Sequence, residues 1–145
     1  DLLIRRFHEA KESGVPHVTL WGTGTPLREF LYVDDLADAC VHVMENFHAR
    51  EIGEFVNVGA GRDLPIKELA ELVAEIVGFR GGIRWDGTKP DGTAKKLLDV
   101  SMINSMGWKA CTALREGIER TYTWYRANGA GRDGGRSGSD GKDSE

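Results

Sequence analysis

Between His17 and Phe47 the chain passes through a short apolar stretch, a glycine-rich turn, a second apolar stretch, two adjacent acids and an amphipathic run. Such a switch from a two-residue to a 3.6-residue apolar period separates short strands from a helix. The spacing predicts a strand over His17–Trp21, a turn over Gly22–Pro26 and a second strand over Glu29–Val33. Asp34 or Asp35 then caps a helix reaching about Phe47, with Leu36, Cys40, Val43, Met44 and Phe47 on its buried face.

Upstream, Leu2, Leu3, Phe7 and Ala10 recur at helical spacing until Gly14 and Pro16 stop the helix. Downstream, Phe55–Val58 reads as a brief strand, followed by the Gly59-Ala-Gly61 turn. Pro65 stands at a plausible first helical position, ahead of the stripe Ile66, Leu69, Leu72, Val73, Ile76 and Val77, which ends at Gly78. Ile83–Trp85 is a further short strand. The loop from Gly87 to Thr93 leads through Lys95–Leu98 to a short helix near Met102–Met106. A last helix spans Ala113–Ala127, with Leu114, Ile118, Tyr122 and Tyr125 inward. From Gly129 the chain holds Gly, Ser, Arg, Asp and Lys without a large apolar residue, which predicts a disordered tail over 129–145. Residues 1–128 therefore form one folded portion.

At 145 residues the chain is long enough for a true core, and its 40% hydrophobic and 29% charged residues suit a globular protein. The net charge of −4 argues against a general nucleic-acid binder, which carries a basic patch. No apolar stretch nears the roughly 20 residues of a membrane span. Cys40 and Cys111 show no metal spacing and read as buried or half-buried free thiols of a reducing compartment. The absence of a signal peptide and an opening on Asp1 instead of Met suggest an excised portion of a cytoplasmic protein.

Dinucleotide binding needs a glycine-rich strand-to-helix turn. Gly59-x-Gly61 is the nearest candidate, but Leu64 stands where the third glycine belongs, so a plain tight turn is the better reading. A Tyr-x-x-x-Lys pair, in which lysine lowers the pKa of a proton-transferring tyrosine, is also missing. Four residues beyond Tyr32, Tyr122 and Tyr125 stand Leu36, Arg126 and Gly129. His8, His17, His42 and His48 have no metal-ligand spacing, and no metal site is expected. Asp34 and Asp35 could be paired catalytic carboxylates, though acids that open a helix are more often caps.

The cations are more informative. Arg6 on the first helix, Arg28 after the Trp21 turn and Lys95-Lys96 after the Pro-Asp-Gly turn could, with Trp21 and Asp91, ring one anionic ligand. A solvated surface charge is the plain alternative for each. Arginine's planar fork matches two phosphate oxygens, and an indole offers a face or an N–H to a base. The pattern fits a nucleotide sugar.

Arg28-Glu-Phe-Leu-Tyr-Val-Asp-Asp35, Asn57-Val-Gly-Ala-Gly61 with Ile66-Lys-Glu-Leu-Ala70, Leu98-Asp99, Met106-Gly-Trp108, Leu114-Arg-Glu-Gly-Ile118 and Thr121-Tyr-Thr-Trp-Tyr125 resemble the second half of the extended short-chain dehydrogenase/reductase superfamily. Leu3-Ile-Arg-Arg-Phe-His-Glu-Ala10 and the segment from Lys89-Pro-Asp-Gly-Thr93 through Asp99 narrow the resemblance to the GDP-L-fucose synthase family. It covers about residues 2–127.

The resemblance implies an α/β fold of which this is the carboxy-terminal, substrate-binding part. The amino-terminal Rossmann domain, and with it the NADP site and the catalytic Ser/Tyr/Lys set, would lie before Asp1. It implies an enzyme that converts GDP-4-keto-6-deoxy-D-mannose to GDP-L-fucose by 3,5-epimerisation and NADPH-dependent 4-reduction, homodimeric when complete. Arg6, Trp21, Arg28, Lys96 and Asp91 match its substrate-contacting positions, with Arg28 and Lys96 on the diphosphate. Ala94-Lys95 replaces the more usual Pro-Arg, keeping the charge but losing a rigid turn. Neither cysteine and none of the histidines matches the catalytic pair of the epimerisation, so the chain alone is expected to be inactive. A relative acting on another nucleotide sugar, as epimerase or dehydratase, and a non-catalytic nucleotide-sugar binder remain the alternatives.

Overall fold

The computed structural model describes residues 2–129. Helix α1 (Leu2–Glu12) buries Ile4, Phe7 and Ala10, the i, i+3, i+6 face that its sequence spacing demands. Strand β1 (His17–Trp21) follows, then β2 (Leu27–Glu29), α2 (Val33–Asn46) and the single turn α3 (Ala49–Ile52). Strand β3 (Asp63–Pro65) leads into α4 (Ile66–Val77), and β4 (Gly82–Asp86), β5 (Lys95–Lys96), α5 (Ser101–Ser105) and α6 (Leu114–Asn128) complete the order. The main core joins α1, β1, α4, the Ile83 and Trp85 side chains of β4, and α6. Ala70 and Ala74 on α4 let the helices approach closely around Phe7 and Val77, both almost wholly buried. Burial of each such large apolar side chain contributes roughly 1.5–3 kcal/mol. A smaller core centres on Ala39, Ile103 and Trp108, where α5 meets α2. Trp108 Nε1 donates to Asp38 at 2.8 Å, and His42 Nε2 lies 2.9 Å from the Met106 carbonyl.

Two parallel pairings arrange the rest. Strand β1 pairs with β4 from His17 opposite Gly82 to Trp21 opposite Asp86. Strand β2 pairs with β5 in parallel, Arg28 standing opposite Lys96, and with β3 antiparallel on its other side. Because β1 and β4 run in one direction, the segments leaving them emerge side by side and re-pair as β2 and β5. The amides of Gly22 and Leu27 donate to the carbonyls of Asp86 and Ala94, extending each pairing by one rung. The 22–26 turn also caps α4: Ile66 and Lys67 donate their amides to Pro26 and Gly24. That satisfies two of the helix's orphan N–H groups without a side-chain cap.

Several local expectations are corrected. The second strand covers Leu27–Glu29 and not Glu29–Val33, because neighbours flank the chain at Leu27 to Glu29 and Phe30 to Tyr32 have none. The helix opens at Val33 with Tyr32 as its N-cap residue, and neither Asp34 nor Asp35 caps it through a side chain. Its inward face carries Asp35, Ala39 and half-buried Val43, while Leu36, Cys40 and Met44 point outward. Two stripes on this helix have apolar members, and periodicity does not say which one α5 will meet. Both cysteines are free but exposed, against the expectation of buried or half-buried thiols. Phe55–Val58 forms no strand, since no partner reaches it among the described residues, although Val56 and Val58 pack on the smaller core. The pairing falls on Asp63–Pro65 instead, and Pro65 (φ −61°, ψ 141°) is the extended N-cap residue of α4, not its first helical residue. Apart from Gly129, the expected disordered tail lies outside the described residues.

Candidate functional site

The two segments that leave β1 and β4 meet at their centres. Asp91, on the longer one, accepts the Thr23 amide at 2.9 Å through Oδ1 and the Thr23 hydroxyl at 2.6 Å through Oδ2. The Thr23 hydroxyl, followed by its amide, therefore holds the Asp91 carboxyl below the usual aspartate range, slight desolvation opposing. Gly22 has a φ of 80°, and a Cβ there would run into Asp91 Oδ1, so only glycine admits the approach. Thr23 and Thr25 join their hydroxyls at 2.7 Å, which closes the shorter turn on itself.

Arg28 and Lys96 stand opposite each other on neighbouring parallel strands, so their side chains share one face of the sheet. Arg28 donates Nη1 to the Leu27 carbonyl at 2.6 Å, while Nη2 faces Gly92. Lys95 points the other way and lies 3.4 Å from Asp63. Among the described residues no acid lies in ion-pair range of Lys96. Glu29, the next residue of β2, takes the Gly61 amide at 2.6 Å and the Leu98 amide at 3.1 Å, tying both neighbouring segments to the strand.

Trp21 is 69% exposed, with Lys89 Nζ 5.6 Å from its ring centroid. Lys89 has its own anchor: its amide donates to the Asp86 carbonyl, and Asp86 also takes the Thr88 amide and hydroxyl. Trp21 also borders an open groove of about 630 Å³, lined mostly by apolar side chains and by Arg6, Phe30 and Tyr32. The structure thus pairs Arg28 with Lys96, places Arg6 with Trp21 on the groove, and engages Asp91 with Thr23. Sequence reading missed Thr23 and Lys89. Lys89 lies inside the most distinctive segment of the chain, but the register that brings it to Trp21 is a tertiary fact.

Asp35, read as a cap, has another task. Its carboxylate is buried and accepts the amides of Cys111 (3.2 Å) and Thr112 (2.9 Å), the Thr112 hydroxyl (2.8 Å) and the Cys111 thiol (3.4 Å). Burial is the largest single influence on the carboxyl and raises its pKa, but the four hydrogen bonds together bring it below the ordinary value. A carboxyl depressed in the folded state contributes stability fully present above the unfolded pKa of about 3.9 and lost as pH falls through its folded value. Asp35→Ala is expected to destabilise the chain by about 2 kcal/mol and to flatten the acid limb of its stability profile, as read from chemical denaturation at a series of pH values. An unchanged acid limb would remove Asp35 from that account.

The comparisons with known proteins bear on the whole described portion. GDP-L-fucose synthase 1 of Arabidopsis thaliana is 55% identical over 126 residues, covering 87% of this chain and 38% of that protein. The Escherichia coli GDP-L-fucose synthase is 46% identical over 132 residues, covering 87% of this chain and 41% of its own length. The NAD dependent epimerase/dehydratase family model matches residues 1–59. Residues 1–59 thus carry the domain of that family. The fold of the chain is that of the carboxy-terminal part of an extended short-chain dehydrogenase. A solved GDP-mannoheptose C4 reductase from Campylobacter jejuni, with NADP bound, superposes with a TM-score of 0.76 at 36% identity, covering 86% of this chain and 43% of that one. The chain therefore spans about two fifths of the length of the curated relatives it matches.

The Campylobacter jejuni reductase was solved with NADP bound, and the Gly59–Gly61 turn of this chain does not fit such a dinucleotide. The Gly61 amide, which would face a pyrophosphate, is already given to the Glu29 carboxylate, whose charge repels phosphate. The turn leads into β3, not into a helix N-terminus. No cluster of metal-ligating side chains occurs among the described residues. Nor does any described helix have the length and apolarity to cross a membrane.

Proposed function

We propose that this chain is the GDP-sugar-binding portion of a GDP-L-fucose synthase, which converts GDP-4-keto-6-deoxy-D-mannose to GDP-L-fucose by 3,5-epimerisation and NADP-dependent 4-reduction. The observation that carries the reading is the opposed pair Arg28 and Lys96, in a chain 46–57% identical to proteins of that name. The Arg28 fork and the Lys96 ammonium meet the diphosphate, Trp21 offers its face to the base, and Arg6 addresses the nucleotide or sugar from the groove. Binding the GDP handle tightly at a distance from the reacting carbons orients the sugar ring, which is how remote binding energy serves catalysis. NADP and the proton-transferring groups belong to sequence outside these residues. The reading also places the complete protein in the cytoplasm, as a homodimer. It is tested by whether the chain binds GDP at all, and by which nucleotide it prefers.

The surface supports a portion that works against further sequence. Val33, Leu36, Val41 and Met44 on α2 are exposed, Met44 at 81%, and Leu2 and Phe30 extend the apolar area beside the groove. An apolar area left in water promotes self-association. Leu36→Lys combined with Met44→Lys is expected to reduce aggregation in light scattering while leaving GDP affinity unchanged. Equal aggregation of the double variant and the parent chain would show that this face is not the sticky seam.

A further inference from the structure

We propose that Thr23 is a positioning residue of the anion site: by clasping Asp91 it fixes the 87–94 segment so that Gly92 backs the Arg28 guanidinium and presents it, beside Lys96, to a nucleoside diphosphate. The proposal rests on the GDP-binding reading above and adds a device to it. The parallel pairings set both ends of the longer segment, with Gly22 bonded to Asp86 at one end and Leu27 to Ala94 at the other. Between the paired strands the shorter connection has five residues, 22–26, and the longer one eight, 87–94, so the longer must bow away unless something draws it in. Asp91 is that tether, taking both the amide and the hydroxyl of Thr23.

The consequence reaches Arg28 through the next residue. A Cβ on Gly92 would stand 3.1 Å from Arg28 Nη2, so the backbone of the tethered segment forms the wall against which the guanidinium rests. With Nη1 held on the Leu27 carbonyl as well, the fork is constrained from two sides before any ligand arrives. A preorganised fork loses less freedom on binding than a free one. The Trp21 side does not depend on the clasp, because Lys89 and its turn are anchored separately on Asp86.

The test compares GDP with guanosine, which lacks the phosphates, by titration calorimetry on the 145-residue chain. Thr23→Val is expected to weaken GDP binding about tenfold while leaving guanosine affinity unchanged, as befits a misplaced phosphate contact. Thr23→Ser, which keeps the hydroxyl, is expected to restore GDP affinity. Gly92→Ala, with the clasp intact, is expected to reproduce the selective loss, and it carries the test if the valine variant fails to fold by circular dichroism. Three results overturn the proposal: unchanged GDP affinity in Thr23→Val, an equal loss for GDP and guanosine, or an unaffected Gly92→Ala. A parent chain that binds no GDP overturns the functional reading itself, which distinguishes the two failures.

Discussion

Arg28→Ala is expected to weaken GDP binding about a hundredfold, or about 3 kcal/mol, with little change in thermal stability. Among the described residues the side chain makes one hydrogen bond, to its neighbour's carbonyl, and no ion pair. Its loss therefore subtracts little from the fold. What it subtracts from the proposed site is a planar, permanently charged donor set suited to two phosphate oxygens at once. Arg28→Lys keeps the charge as a point on a flexible stem and is expected to recover only part of the affinity. Lys96→Ala should cost less than Arg28→Ala, since an exposed ammonium at the end of a flexible chain is more strongly solvated. Calorimetry on the three variants checks the order, and a Lys96 effect larger than that of Arg28 would reverse the roles assigned to the pair.

Incubated with NADPH and GDP-4-keto-6-deoxy-D-mannose, the 145 residues should show no consumption of nicotinamide above the buffer rate. Against a complete enzyme that is a deficit of at least about 10⁶-fold. The physical reason lies in the tyrosines. Tyr122 is buried with its hydroxyl 3.1 Å from His8 Nδ1, and Tyr125 packs edge-on against the same ring. Tyr32 ends the loop before α2 under the Arg120 guanidinium, with Leu36 where a pKa-lowering lysine would stand. None is placed to move a proton to a ketone with lysine assistance. Measurable NADPH oxidation that tracks the purified chain would contradict this and would require a catalytic group within the sequence.

The helices were largely legible and the strands were not, for reasons that particular residues make plain. α1, α4 and α6 have long apolar stripes punctuated by Gly14, Gly78 and the glycines after Asn128, so local chemistry fixes them. β3 and β5 have three and two residues, too few for a period, and exist because β2 lies between them. The Phe55–Val58 stretch looks like a strand by composition yet finds no partner. α2 shows a different failure: two stripes compete, and Ala39, a small residue, wins the inward position because Ile103 and Trp108 need close approach. In the candidate site, residue types singled out Arg28, Lys96 and Trp21. The link from Thr23 to Asp91 depends on the parallel register of β1 with β4, which no local pattern encodes.

The central claim is that this portion recognises a GDP sugar, and competition binding tests it most directly. With a fluorescent GDP analogue bound to the 145-residue chain, unlabelled GDP, UDP and dTDP are titrated as competitors. The account predicts that GDP displaces the probe with an apparent Kd at least about tenfold below those of UDP and dTDP. Displacement by all three at equal concentration, or a preference for UDP or dTDP, would contradict it.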